Sequence, residues 1–183
     1  MQSPLKRLAP LMVVALLLVG VLNAARVSCS AGIPATQKGV VTRVYDGDTI
    51  EVRGAGKVRL IGVDALDGHN DDKIREQARR LGLPARRVVE WAEKATQFVS
   101  ERVLGKEVRL ERGPEARGDY GRLLAYVFYK SDGSEKHLNK LLLGRGLATA
   151  YRQYTHPRRD QFIRAERAAR ENREGLWQEA SDH

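Results

Sequence analysis

A disulfide framework is excluded for this chain, because Cys29 is its only cysteine. Without a partner that thiol makes no intramolecular bridge, so the domain must stand on packing alone. Histidine is nearly as scarce: His69, His137, His156 and His183 are the four present. They lie far apart in sequence and include no ligand-like pair, which argues against a zinc centre. Internal repeats and low-complexity tracts are also absent, so a single domain over residues 36–179 is the simplest division.

The one extended apolar run, residues 11–22, sits near the start, behind Lys6 and Arg7 and ahead of the small residues Ala24, Ala25, Ser28, Ser30 and Ala31. Charged, then apolar, then small is the order of a secretory signal. The run falls short of the roughly 20 residues a membrane span needs. Ala9 and the small residues after Leu22 extend it, so an uncleaved membrane anchor is the rival reading. Residues 1–31 are therefore expected to be a signal peptide or N-terminal anchor. The protein is expected to be exported, secreted or periplasmic, or else held at a membrane. Cys29 is expected to leave with the signal; Arg26 stands where a lipidation signal wants an aliphatic residue.

What remains is basic. Beyond residue 31 the chain keeps 29 Lys and Arg against 23 Asp and Glu, a net charge of +6. That length is enough for one core, and that charge suits an anionic partner such as nucleic acid or an acidic surface.

The residues around which the rest is organised run from Asp46 to Asp67, DGDTIEVRGAGKVRLIGVDALD. Residues 50–53 and 57–61 alternate in character on either side of Gly54-Ala55-Gly56, the pattern of a β-hairpin. Asp46-Gly47-Asp48-Thr49 precedes the first strand, and Asp64 and Asp67 leave the second. DGDT is by itself a good turn sequence. A hairpin, however, brings both acidic ends together. Clustered carboxylates raise each other's pKa unless a cation sits among them, and oxygen-only ligands suit calcium or magnesium.

Elsewhere, residues 39–45 read as a first strand and residues 68–83 as a long loop with a helical turn near residues 74–81. A helix is expected from Pro84 to Gly105, with Val88, Val89, Ala92, Ala95, Thr96, Val99 and Val103 on one face. Residues 107–110 and 122–130 read as the fourth and fifth strands, the latter turning at Asp132-Gly133. A short apolar helix over residues 138–143, a short extended piece at 147–151 and an arginine-rich helix at 158–173 follow. Leu176-Trp177 is expected to pack back on the core. The expected class is α+β: a five-stranded barrel of the oligonucleotide-binding (OB-fold) type with about three helices.

DGDT, VRLIGVDALD and DYGRLLAYV, in this order, resemble the staphylococcal nuclease (thermonuclease) family over residues 39–177. The resemblance implies a five-stranded barrel that hydrolyses DNA and RNA with Ca2+. By position it implies Asp48 and Asp64 as calcium ligands, Ala65 as a backbone-carbonyl ligand and Asp46 in the outer shell. It implies Arg59 and Arg122 as the phosphate-gripping arginines, and Tyr120 and Tyr151 as nucleotide contacts. The chemistry calls for these types: a cation acts as Lewis acid and template, while guanidinium forks match phosphate oxygens and water needs a base or orienting carboxylate. The second motif departs from the family's ending, aspartate-variable-proline-glutamate: Leu66 replaces the proline, and Asp67 the glutamate that works on water. The shorter side chain retracts its oxygens by roughly 1.5 Å, a displacement that can cost about 100-fold in rate. Asp71, Asp72 and Glu76 are candidates to stand in, and Asp119 replaces a family lysine. The expected enzyme is thus a slow or altered nuclease of DNA or RNA, preferably single-stranded, working as a monomer without an obligate protein partner. The competing expectation is a binding module, the same barrel with cleavage lost.

Overall fold

The computed structural model describes residues 35–118 and 121–180. The N-terminal segment with Cys29, and Asp119 and Tyr120, lie outside the described residues.

Strand β1 (Thr36–Val44) pairs antiparallel with β2 (Thr49–Val52), which turns through Gly54–Gly56 into β3 (Gly56–Leu60) in the register Thr49↔Arg59 and Ile50↔Val58. Short β4 (Val63–Ala65) follows. After helices α1 (Asp71–Leu81) and α2 (Ala85–Val103), β5 (Glu107–Arg117) pairs with β1 and β6 (Leu123–Ser131) pairs with β5. A parallel pairing of β3 with β6, Arg59↔Leu124 and Leu60↔Ala125, closes the five strands β1, β2, β3, β6 and β5 into a barrel. β7 (Ser134–His137) adds a hairpin to β6 across Asp132-Gly133. α3 (Leu138–Gly144), β8 (Ala148–Ala150, paired with β4), α4 (Arg159–Glu171) and a 3-10 turn (Gly175–Gln178) complete the described chain.

Period-two alternation sets the barrel interior. Val58, Leu60, Val108, Leu110, Leu123, Ala125 and Val127 are all buried. Arg59, between Val58 and Leu60, is thereby turned to the outer face. The opposite face of β6 is covered too: Tyr126 packs edge-on against Phe162 of α4, and Phe128 stacks on His137. Buried on both sides, β6 is the central strand. Asn139 of α3 fastens it, accepting from Val127 N at 2.9 Å and donating to Ile61 O at 2.9 Å.

Helix α2 buries Val88, Trp91, Ala92, Ala95, Val99 and Val103 at helical spacing. Gly47 is required beneath it: a Cβ there would lie 2.8 Å from the Cβ atoms of both Ala65 and Ala95. Leu176 and Trp177 are buried.

Two elements differ from expectation. The segment after Gly68 is a full helix over Asp71–Leu81 rather than a loop with one helical turn near residues 74–81, giving four helices among the described residues. Asn70 caps α1 by accepting from Asp72 N and Lys73 N, and Gly82 ends it at φ 63°. Asp71 and Asp72 lie in its first turn, with Arg79 and Arg80 in its last, the polarity the helix dipole favours. The fourth strand also runs longer, to Arg117. Among the described residues no helix is long and apolar enough to cross a membrane.

Candidate nucleic-acid cleft

The turn before β2 is fixed by its own backbone. Tyr45 N donates to Thr49 O at 2.9 Å, and Leu60 N to Asp48 O at 2.8 Å. Asp46 Oδ1 accepts from Asp48 N at 2.9 Å, an Asx-turn bond that orients the next carboxylate. Asp48 is buried at 6% exposure. Its Oδ2 accepts from Ala65 N at 2.8 Å and its Oδ1 from the Thr49 hydroxyl at 3.1 Å. Arg59 Nη1 is ion-paired to Asp48 Oδ1, and its Nη2 lies 3.8 Å from Asp64 Oδ1. Asp64 also faces Arg80 Nη2 at 3.3 Å and the Thr149 hydroxyl at 3.5 Å.

The two acidic ends of the hairpin therefore meet on one guanidinium. Burial pushes the Asp48 carboxyl up to about 7, with the Asp46 charge adding to the rise and Arg59 and the Ala65 N–H opposing it. Asp48 already accepts from the Ala65 N–H, the Thr49 hydroxyl and Arg59, so a hard cation seated on this carboxylate pair would take the place of the guanidinium. Among the described residues no group of three or more acidic, His or Cys side chains gathers there. Asp48 and Asp64 are thus the carboxylates at hand, and a divalent ion on them would keep several waters.

These residues open onto a cleft of about 900 Å³. Asp46, Asp48, Arg59, Asp64, Ala65, Asp67, Arg122 and Tyr151 all line it; Tyr120 is outside the described residues. Tyr151 packs beside exposed Tyr154 with ring centroids 5.3 Å apart. A second cleft of about 630 Å³ shares Arg59, Arg122 and Tyr151 with the first.

Asp67 is placed in the cleft but is occupied locally. Its Oδ1 accepts from His69 N at 2.8 Å and Asn70 N at 2.9 Å, and its Oδ2 lies 3.4 Å from Lys73 Nζ. Burial works to raise its pKa, yet these two amides and Lys73 outweigh it and hold the carboxyl below its ordinary value. Asp67 N donates to buried Gln77 of α1 at 2.9 Å. Glu76, also on α1, lines the same cleft.

Sequence reasoning missed Thr49, Thr149, Gln77 and Arg80. Thr49 stands in the DGDT motif but acts through its hydroxyl on Asp48, and Thr149 reaches Asp64 from a segment with no motif. Gln77 and Arg80 follow from α1, whose caps at Asn70 and Gly82 were the available signal.

A closed five-stranded barrel carrying an acid–guanidinium cleft on its outer face defines an oligonucleotide-binding barrel. The profile of the family described as "Staphylococcal nuclease homologue" matches residues 57–179, and the chain belongs to that family. An uncharacterized protein of Methanocaldococcus jannaschii is 35% identical, with 76% of this chain and 70% of that protein covered. Micrococcal nuclease of Shigella flexneri is 31% identical, covering 76% and 73% respectively. Endonuclease YhcR of Bacillus subtilis is 30% identical over 78% of this chain, which spans 11% of that protein's length.

Proposed function

We propose that this chain is an exported, calcium-dependent nuclease that hydrolyses phosphodiester bonds of single-stranded or loosened DNA and RNA. The observation carrying this reading is the convergence of Asp48 and Asp64 on Arg59, in a cleft that also holds Arg122 and Tyr151. A buried carboxylate with a half-buried one beside it, close to two arginines, suits phosphodiester chemistry better than binding alone. Its relatives named as nucleases support the same class.

Asp48, Asp64 and the Ala65 carbonyl would hold calcium, with Asp46 orienting Asp48 through its backbone amide. When bound, calcium supplies Lewis-acid polarisation of a phosphate oxygen and a template for the attack. Arg59 and Arg122 present planar donor forks to the oxygens on which charge builds as phosphorus becomes five-coordinate. Asp67 orients or activates the attacking water. Tyr151 offers a face for a base to stack on.

The bonding of Asp67 favours a second reading, a weakened enzyme that chiefly binds nucleic acid. Its carboxylate is tied to two amides and a lysine, and a lowered pKa makes it a poorer base. Incubation of the purified protein with denatured DNA, with calcium or with a chelator, separates the two. Calcium-dependent cleavage lost in Arg59→Ala and Arg122→Ala supports the nuclease. Binding without cleavage supports the second reading, and cleavage that survives chelation or both substitutions refutes the mechanism.

A further inference from the structure

Glu166 of α4 is a carboxylate at 1% exposure, and two guanidiniums converge on it from different elements. Arg170, one turn further along α4, reaches its Oε1 at 3.3 Å. Arg152, in the chain after β8, donates from Nη2 to its Oε2 and from Nη1 to Ala150 O at 3.0 Å. Arg170 also lies over the Trp177 ring, 3.8 Å from its centroid. One guanidinium suffices to neutralise one carboxylate, and the i,i+4 partner on the same helix already provides it. The second leaves these three side chains with a net charge of +1. Arg152 and Arg170 both line the cleft. The Arg152 side chain is 49% exposed. An arginine carries five N–H donors, so donors remain for a ligand after Glu166 and Ala150 have been served.

We propose that Arg152, braced with Arg170 on buried Glu166, is a second phosphate-binding point in the cleft, one that grips the backbone of a polynucleotide away from the bond being cut. This rests on the nucleic-acid reading above and adds to it a preference for chains over short fragments. The sequence of the wall supports it: Tyr151, a stacking surface, is followed directly by Arg152, so base and phosphate partners alternate as they do along a strand. A brace buried this deeply keeps the guanidinium in place before ligand arrives, which limits the ordering cost of the contact.

The test compares dithymidine monophosphate, with a single phosphate, and a fluorescent oligothymidylate of about 12 nucleotides. Each is titrated against the full chain in chelator, across a range of salt concentrations. In Arg152→Ala the ratio of oligomer to dinucleotide affinity should fall several-fold, about three- to tenfold at low salt, and the oligomer's log–log salt slope should shrink by about 0.7. Arg152→Lys, which keeps a charge beside Glu166, should recover most of the slope, showing that the alanine result is not general damage. Arg122→Ala should weaken both ligands together. Equal losses for both ligands in Arg152→Ala, or an unchanged slope, overturn the second phosphate point while leaving the central site standing. If the parent protein binds neither ligand yet cleaves denatured DNA with calcium, this inference alone falls; if it neither binds nor cleaves, the nucleic-acid reading falls with it.

Discussion

Replacing Arg59 by methionine and by lysine separates its structural part from its chemical one. The Arg59 and Asp48 side chains are 19% and 8% exposed, so their ion pair is largely shielded from water. Methionine keeps the apolar stem and removes the charge. Breaking a buried pair from one side costs about 3–5 kcal/mol, because the remaining charge is left uncompensated. Thr49 and the Ala65 amide still hold Asp48, so the lower end, about 3 kcal/mol, is expected. Lysine restores a charge, but one ammonium cannot span Asp48 and Asp64 as the guanidinium does. Arg59→Lys is therefore expected to lose less than about 1 kcal/mol of stability. Its cleavage rate should fall about 100-fold, the usual loss when one preorganised donor to a developing oxyanion is removed. Urea unfolding followed by the fluorescence of Trp91 and Trp177, alongside calcium-dependent cleavage of denatured DNA, gives both quantities. A lysine variant as active as the parent would refute the claim that the fork, rather than the charge, does the chemistry. A methionine variant of unchanged stability would refute the structural part, the stabilising ion pair with Asp48.

Three further substitutions test other parts of the molecule. Asn139→Leu strips partners from Val127 N–H and Ile61 C=O inside the barrel wall, and should lower unfolding free energy by about 2–4 kcal/mol; a loss under about 0.5 kcal/mol would show that these groups find other partners. His137 is held at about 3, first by burial and then by Arg158, Lys140 and Arg109, with Glu135 opposing. Its folded pKa lies below the unfolded value near 6.5, so its contribution is complete above about pH 6.5 and fades as pH falls towards 3. Between pH 6.5 and 4 this amounts to about 3 kcal/mol, and His137→Leu should flatten the parent's stability loss over that window. Asp67→Asn keeps an oxygen for the His69 and Asn70 amides but removes the charge. Stability should stay within about 1 kcal/mol, while cleavage falls about 100-fold; an unchanged rate would move the water-handling role elsewhere, with Glu76 on the same wall the next candidate.

The barrel was readable because its strands obey the simplest rule, alternation bounded by turns. Val58 and Leu60 turn inward, so Arg59 must turn outward, and the Gly54–Gly56 turn brings Asp48 and Asp64 to the same end. What pattern alone misses is tertiary. The buried face of α1 is Ile74, Gln77 and Leu81, and a glutamine in the middle of an apolar stripe hides the helical period. Gln77 is inside because it accepts from the Asp67 amide, a bond invisible before the fold brings them together. The same holds for Arg152 and Glu166, on separate elements 14 positions apart. β6 was legible as a strand over residues 122–130, but its cover on both faces was not: it shows apolar residues at successive positions.

Asp67 shows how these two levels meet in one residue. Its position in the cleft follows from the second acidic motif, but its bonding follows from the helix that begins four residues later. Asn70 satisfies the first free amides of α1, and Asp67 closes the loop leading into it through the amides of His69 and Asn70. With Leu66 in place of the family's proline, the backbone before this loop is less restricted, and the carboxylate supplies part of the order instead. A side chain shortened by one methylene reaches these amides more readily than it reaches across the cleft. Asp67 and the start of α1 are thus held by one local set of bonds. On the proposed reading, a carboxylate fixed in this way and held below its ordinary pKa would orient a water more than take its proton.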